Sequence, residues 1–64
     1  MKLNGQYIKL EETQHLDNFL KASGYNIDTI AVELNGEIIP KSVYCDTLVD
    51  DAAEMEVVRF VGGG

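Results

Sequence analysis

The spacing of apolar positions changes along the chain, and most of the changes fall at a glycine, a proline or a pair of aspartates. Ile8 and Leu10 alternate with Tyr7 and Lys9, the period of a strand with one buried and one wet face. Asn4-Gly5 separates this stretch from Lys2-Leu3. Asn-Gly is the pair that most readily takes the two positive φ angles of a type I′ turn, so an N-terminal hairpin is expected. Leu16, Phe19 and Leu20 then follow i, i+3, i+4 spacing, with Asp17, Asn18 and Lys21 on the other side, which predicts a short amphipathic helix. Thr13 is the best capping side chain at its start, although the pattern also fits a start one or two residues later; Gly24 supplies a left-handed C-cap. Ile30-Ala31-Val32-Glu33-Leu34 reads as a strand, Asn35-Gly36 repeats the hairpin signal, and Glu37-Ile38-Ile39 returns until Pro40 stops the ladder. From residue 41 to 53 the pattern is irregular. A loop with a short helical turn is expected there, anchored by Val43, Tyr44, Leu48 and Val49 and closed by the turn signal Asp50-Asp51. Residues 54–61 form the last predicted strand.

The predicted order is β-β-α-β-β-β. A helix crossing between two hairpins packs most economically when its Leu16/Phe19/Leu20 stripe covers one face of a mixed sheet of four to five strands. That is the α+β arrangement called the β-grasp. The expected division is a folded domain over residues 1–61 and a flexible tail over residues 62–64. At 64 residues, folding hides only about 60% of the surface of the unfolded chain. A catalytic pocket typically needs about 300 Å³ or more, which so thin a core can hardly spare. A carrier or binding module is expected rather than an enzyme.

Eleven acidic residues against five basic ones give a net charge of −6, spread from Glu11 to Glu56. Such a surface repels phosphate backbones and anionic lipid and favours a partner with a basic docking face, besides conferring solubility. Neither nucleic acid nor membrane is an expected partner. Cys45 is the single cysteine and His15 the single histidine, so no intramolecular disulfide or Cys-rich zinc site is available, and no metal site is expected. With no signal-like or membrane-spanning apolar run at Met1-Lys2-Leu3-Asn4, a soluble, cytoplasmic protein is the expectation.

Gly62-Gly63-Gly64 is the stretch that carries candidate chemistry. Three glycines have no side chain to pack and lose more conformational entropy on ordering than any other residue. Fully extended they reach about 10 Å, enough to carry the terminal carboxylate into another protein's active site through a narrow channel. An α-carboxyl, with a reference pKa near 3.5, is an anion at neutral pH that no nucleophile attacks unaided. Converting it to an acyl-adenylate with ATP makes the departing group a phosphate monoester, and sulfide captured at that stage leaves a thiocarboxylate. The glycines alone fit a frayed end as well as they fit a delivery arm.

Two stretches carry a resemblance: Ala31-Val32-Glu33-Leu34-Asn35-Gly36-Glu37-Ile38-Ile39-Pro40-Lys41-Ser42 and Val57-Val58-Arg59-Phe60-Val61-Gly62-Gly63-Gly64. Together with the first Asn-Gly hairpin and the helix ending at Gly24, they make the chain similar over its length to the thiamine-biosynthesis sulfur carriers, the ThiS-type proteins of the ubiquitin-like β-grasp family. The resemblance implies that an E1-like, ThiF-type enzyme adenylates Gly64 with ATP. It further implies that a sulfurtransferase system supplies sulfur and that a ThiG-type thiazole synthase consumes the thiocarboxylate. Gly62 and Gly63 map to the delivery arm, no cofactor is bound by the carrier itself, and the free form is expected to be a monomer. Two departures are visible: Asp50-Asp51-Ala52-Ala53 stands where the family often has an Asp-Gly turn, and Tyr44 stands in place of a Trp. Both lie away from the tail.

Strand parity sets Met55, Val57 and Arg59 on one face and Glu54, Glu56, Val58 and Phe60 on the other. With Met55 and Val57 towards the helix, Val58 and Phe60 look outward. A docking role is favoured for them over a bulge that returns Phe60 to the core. Arg59 fits a contact with an acidic group of the partner as well as it fits a solvated strand-end cation. Cys45, with no second thiol or histidine to form a thiolate site, is read as packing in its loop, and His15 as a helix-boundary residue. Tyr7, Tyr25 and Tyr44 are too scattered for a base-stacking platform. The alternatives are a molybdopterin-type sulfur carrier, which is usually longer and differs before the tail, a ubiquitin-like modifier joined to lysines, and an interaction domain with an idle tail.

Overall fold

A computed structural model describes residues 1–60. Strands β1 (Lys2–Leu3) and β2 (Gln6–Tyr7) form the first hairpin, β4 (Ile30–Leu34) and β5 (Glu37–Ile39) the second, and β7 (Glu54–Arg59) returns between them. The sheet order is β2-β1-β7-β4-β5, with β7 parallel to β1 and antiparallel to β4. Both predicted turns are present. Asn4 and Asn35 each have φ 51°, and Gly5 and Gly36 have φ 84° and 85°, the two successive left-handed residues that a type I′ turn requires.

Helix α1 (Leu16–Ala22) lays Leu16, Phe19 and Leu20 on the sheet, all buried. Its stripe meets Ile30, Val32, Met55 and Val57 of the two long central strands, with Tyr44 and Val49 joining from the connection that follows β5. Gly24 closes the helix as expected. At φ 88° its N–H donates to Lys21 O, while the Tyr25 N–H reaches back to Leu20 O.

The helix start differs from the capping expectation at Thr13. Gln14–His15 is drawn into a short strand, β3, paired antiparallel with β6 (Leu48–Val49), so His15 occupies the cap position without a side-chain bond. The Leu16 N–H is satisfied instead by Thr47 O at 2.7 Å. The connection over 41–53 does contain its helical turn, a 3-10 segment at Lys41–Asp46. Tyr44 and Val49 anchor it, but Val43 and Leu48 do not: they are 39% and 57% exposed, because the 3-10 segment turns only Tyr44 inward and β6 only Val49. The second strand also stops early. Past Tyr7 the ladder continues only against Met1, whose carbonyl accepts from the Ile8 N–H and whose ammonium donates to Ile8 O at 2.7 Å, and the Leu10 N–H turns to the Asp51 carboxylate.

Candidate functional site

The site is built on β7, whose far end leads to the chain terminus. Because β1 is only two residues long, the ladder alone would leave part of β7 unpaired on that side. The Asn4 side chain extends it: Oδ1 accepts from the Val57 N–H at 2.7 Å and Nδ2 donates to Val57 O at 3.3 Å. Asn35 does the same at the other edge, its Oδ1 accepting from the Glu54 N–H at 3.0 Å. The two turn asparagines thus serve twice, by accepting a left-handed backbone and by holding the strand that leads to the terminus.

Parity along β7 follows the sequence expectation. Met55 and Val57 are buried, whereas Val58 and Phe60 are exposed on the outer face, where Ala31 lies opposite Val58 and Ile38 opposite Glu33. Val58 and Phe60 make the exit end of this face apolar, while Ile38, also exposed, lies across β4 in the row of Glu33 and Glu56. Below it, towards the two Asn-Gly turns, lies a shallow depression of about 270 Å³ lined in part by Lys2, Glu33, Glu54 and Glu56. The face is therefore apolar at the strand's exit and acidic at its entry.

Arg59 is not brought together with Val58 and Phe60. Its register partner is the buried Ile30, so it lies on the helix side of the sheet, its guanidinium 5.2 Å from the centroid of the Tyr25 ring. Phe60 is covered from the outer side by Lys41, whose Nζ is 5.3 Å from the ring centroid, and its N–H donates to Thr29 O at 3.0 Å. Gly62, Gly63 and Gly64 lie outside the described residues, as does the predicted end of the strand at Val61.

Asp51, read from sequence only as a turn residue, proves to be a hub. Its carboxylate accepts from the Leu10 N–H, from the Met1 ammonium at 2.9 Å and from the Tyr7 hydroxyl at 2.7 Å. These donors hold its carboxyl well below the usual carboxylate range, the Leu10 bond contributing most. The same contact pushes the Tyr7 hydroxyl up. No local pattern announces this, since the partners are 41 to 50 positions away along the chain. Cys45 corrects the loop-packing reading: it is exposed, because the 3-10 segment turns Tyr44 inward and its neighbour out. His15 is exposed at the helix boundary. Among the described residues no three His, Cys, Asp or Glu side chains converge to hold a metal, and no helix is long and apolar enough to cross a membrane.

A mixed five-stranded sheet folded over one helix, with the chain end leaving from its central strand, defines a ubiquitin-like β-grasp protein. The ThiS family model matches residues 1–64. The crystal structure of the thiamine biosynthesis protein ThiS from Geobacter metallireducens superposes with a TM-score of 0.83 at 29% identity, covering 98% of this chain and 96% of that one. The sulfur carrier protein ThiS of Bacillus subtilis is 34% identical over 65 residues, covering all of this chain and 98% of its own. A thiazole synthase of Paramagnetospirillum magneticum is 36% identical over 62 residues, 97% of this chain but only 19% of that protein. This chain thus spans about a fifth of the thiazole synthases it matches. The chain belongs to the ThiS family.

Proposed function

We propose that this protein carries sulfur for formation of the thiazole of thiamine, as a thiocarboxylate on Gly64. The observation that carries this reading is the match to the ThiS family over the whole chain, joined to a segment of similar sequence inside two thiazole synthases. A segment of this kind within a thiazole synthase is what a protein handing sulfur to such an enzyme would resemble.

The chemistry belongs to the chain end. In the proposed cycle a Gly64 carboxylate oxygen attacks the α-phosphorus of ATP on an E1-like, ThiF-type enzyme and pyrophosphate departs. Hydrosulfide delivered by a sulfurtransferase system then attacks the acyl carbon, the C–O bond to AMP breaks and AMP leaves, and the resulting thiocarboxylate is passed to a ThiG-type thiazole synthase. The protein is a co-substrate in this cycle, with ATP bound by the partner. Residues 1–61 are the body that is recognised, and Gly62 and Gly63 form the arm that passes through the partner's channel. Val58 and Phe60 supply the docking surface, and Glu33, Glu54 and Glu56 favour a partner whose rim is basic. An exposed, unpaired Cys45 suits the reducing cytoplasm, where we place the protein.

The test is intact mass after incubation with ATP, the adenylating enzyme and a sulfur donor. Replacement of oxygen by sulfur should add about 16 mass units, and deleting Gly64 should abolish the gain. Isopeptide adducts on lysines of other proteins would point to a modifier instead, and an unchanged mass beside an enzyme proven active on a known carrier would overturn the reading.

A further inference from the structure

The end of β7 is gripped from both faces of the sheet. On the helix side Arg59 lies over Tyr25, and on the outer side Lys41 lies over Phe60, each cation within the ~6 Å at which a ring face attracts it. Between them the Phe60 N–H closes on Thr29 O at 3.0 Å. The strand supplies the cation in one contact and the ring in the other. Both outside partners stand on stiff ground. Tyr25 follows Gly24 at the helix C-cap and is tied by its N–H to Leu20 O, while Lys41 follows Pro40, whose φ is −64°.

Arg59, Phe60 and Lys41 are all exposed, and Tyr25 packs partly buried against the rim of the core. Their effect is local, at the point where a strand would otherwise fray. From Phe60 to the terminus four residues remain, about 14 Å when fully extended; release of residues 59 and 60 would add roughly 7 Å of slack to that lead. Transfer chemistry is sensitive to displacements of about 1 Å.

We propose that Tyr25 and Lys41 are positioning residues for delivery of the Gly64 carboxylate, acting through Arg59 and Phe60 to fix the point from which the terminal arm starts. The proposal rests on the sulfur-carrier reading and assigns roles to two residues outside the tail.

The double variant Tyr25→Leu/Lys41→Met keeps an apolar side chain at both positions and removes both cation–ring contacts. In the free protein, amide exchange at Phe60 should quicken about tenfold or more, while amides in the middle of β4 keep their protection. With the adenylating enzyme, kcat should fall about tenfold and KM for the carrier should stay within about twofold, because docking is intact and placement is not. Lys41→Arg should behave as wild type, and Tyr25→Leu alone should lower kcat although it sits on the side of the sheet away from the docking face. Unchanged Phe60 exchange in the double variant would overturn the grip. Faster exchange with unchanged kcat would overturn its positioning role, and a loss seen only as raised KM would identify Lys41 as a docking contact instead. If the wild-type protein is never adenylated, the carrier reading fails, and the exchange experiment still decides the grip.

Discussion

Val57 and Val58 are neighbours in one strand, yet one is 8% exposed beneath the helix and the other 60% exposed on the outer face. Valine to threonine keeps the volume and the β-branching, so strand propensity and shape are held constant and only the fate of one hydroxyl differs. At position 57 a methyl leaves the core, about 0.8 kcal/mol, and a hydroxyl is buried among apolar side chains, about 1–3 kcal/mol, giving a loss of about 2–3 kcal/mol. A domain of this size has about 3–10 kcal/mol of stability in total, so the change is severe. At roughly 4–8 °C per kcal/mol, Val57→Thr should melt about 10–20 °C lower than wild type. Val58→Thr should melt within about 3 °C of it, since surface changes are usually worth less than about 0.5 kcal/mol. Val58→Asp, equally soluble and folded, should raise KM for the carrier in adenylation by about tenfold, the effect of losing one apolar anchor worth about 1.4 kcal/mol. Thermal melting by circular dichroism and adenylation kinetics on the same preparations provide the assay. Equal melting losses at the two positions would refute the assignment of faces, and unaltered kinetics for Val58→Asp would refute the docking surface.

The Asp51 carboxyl is depressed in the folded state, first by the Leu10 N–H and then by the Met1 ammonium and Tyr7 hydroxyl. Its contribution is therefore present above the unfolded value of 3.8 and is lost as pH falls from there through the lower folded value. Asp51→Asn should melt lower at about pH 7 yet lose less stability than wild type between about pH 4 and pH 2; parallel acid profiles would contradict this. Glu33 and Glu56 are direct cross-strand partners, both exposed. Removing one of two opposed like charges by Glu56→Gln should raise the melting temperature by about 2–4 °C at low salt and by less at high salt, and a lower melting temperature would show that the pair is not strained.

What could be read from the sequence was local. Asn4-Gly5 and Asn35-Gly36 specify their turns through backbone angles that few other pairs accept, and Leu16, Phe19 and Leu20 specify a helix face through spacing alone. The parity of β7 was legible for the same reason. The pairing of Gln14–His15 with Leu48–Val49 was not, since two-residue strands more than thirty positions apart carry no periodicity. Nor was the second task of Asn4 and Asn35, because a side chain that completes a ladder is chosen by its neighbour in space. Strand alternation also set Arg59 on the face opposite Val58 and Phe60, and its pairing with the buried Ile30 agrees. The candidate chemistry of the tail was visible only as composition and resemblance, since glycines offer no pattern of faces.

Because β7 lies inside the sheet, with β1 running parallel on one side and β4 antiparallel on the other, tension applied at the carboxyl end acts along the strand axis. The crosswise hydrogen bonds of both ladders then resist sliding together instead of parting one after another. An enzyme that drew the terminus into its channel would be pulling on the mechanically strongest direction of the domain, and could reel in the arm without unravelling the body.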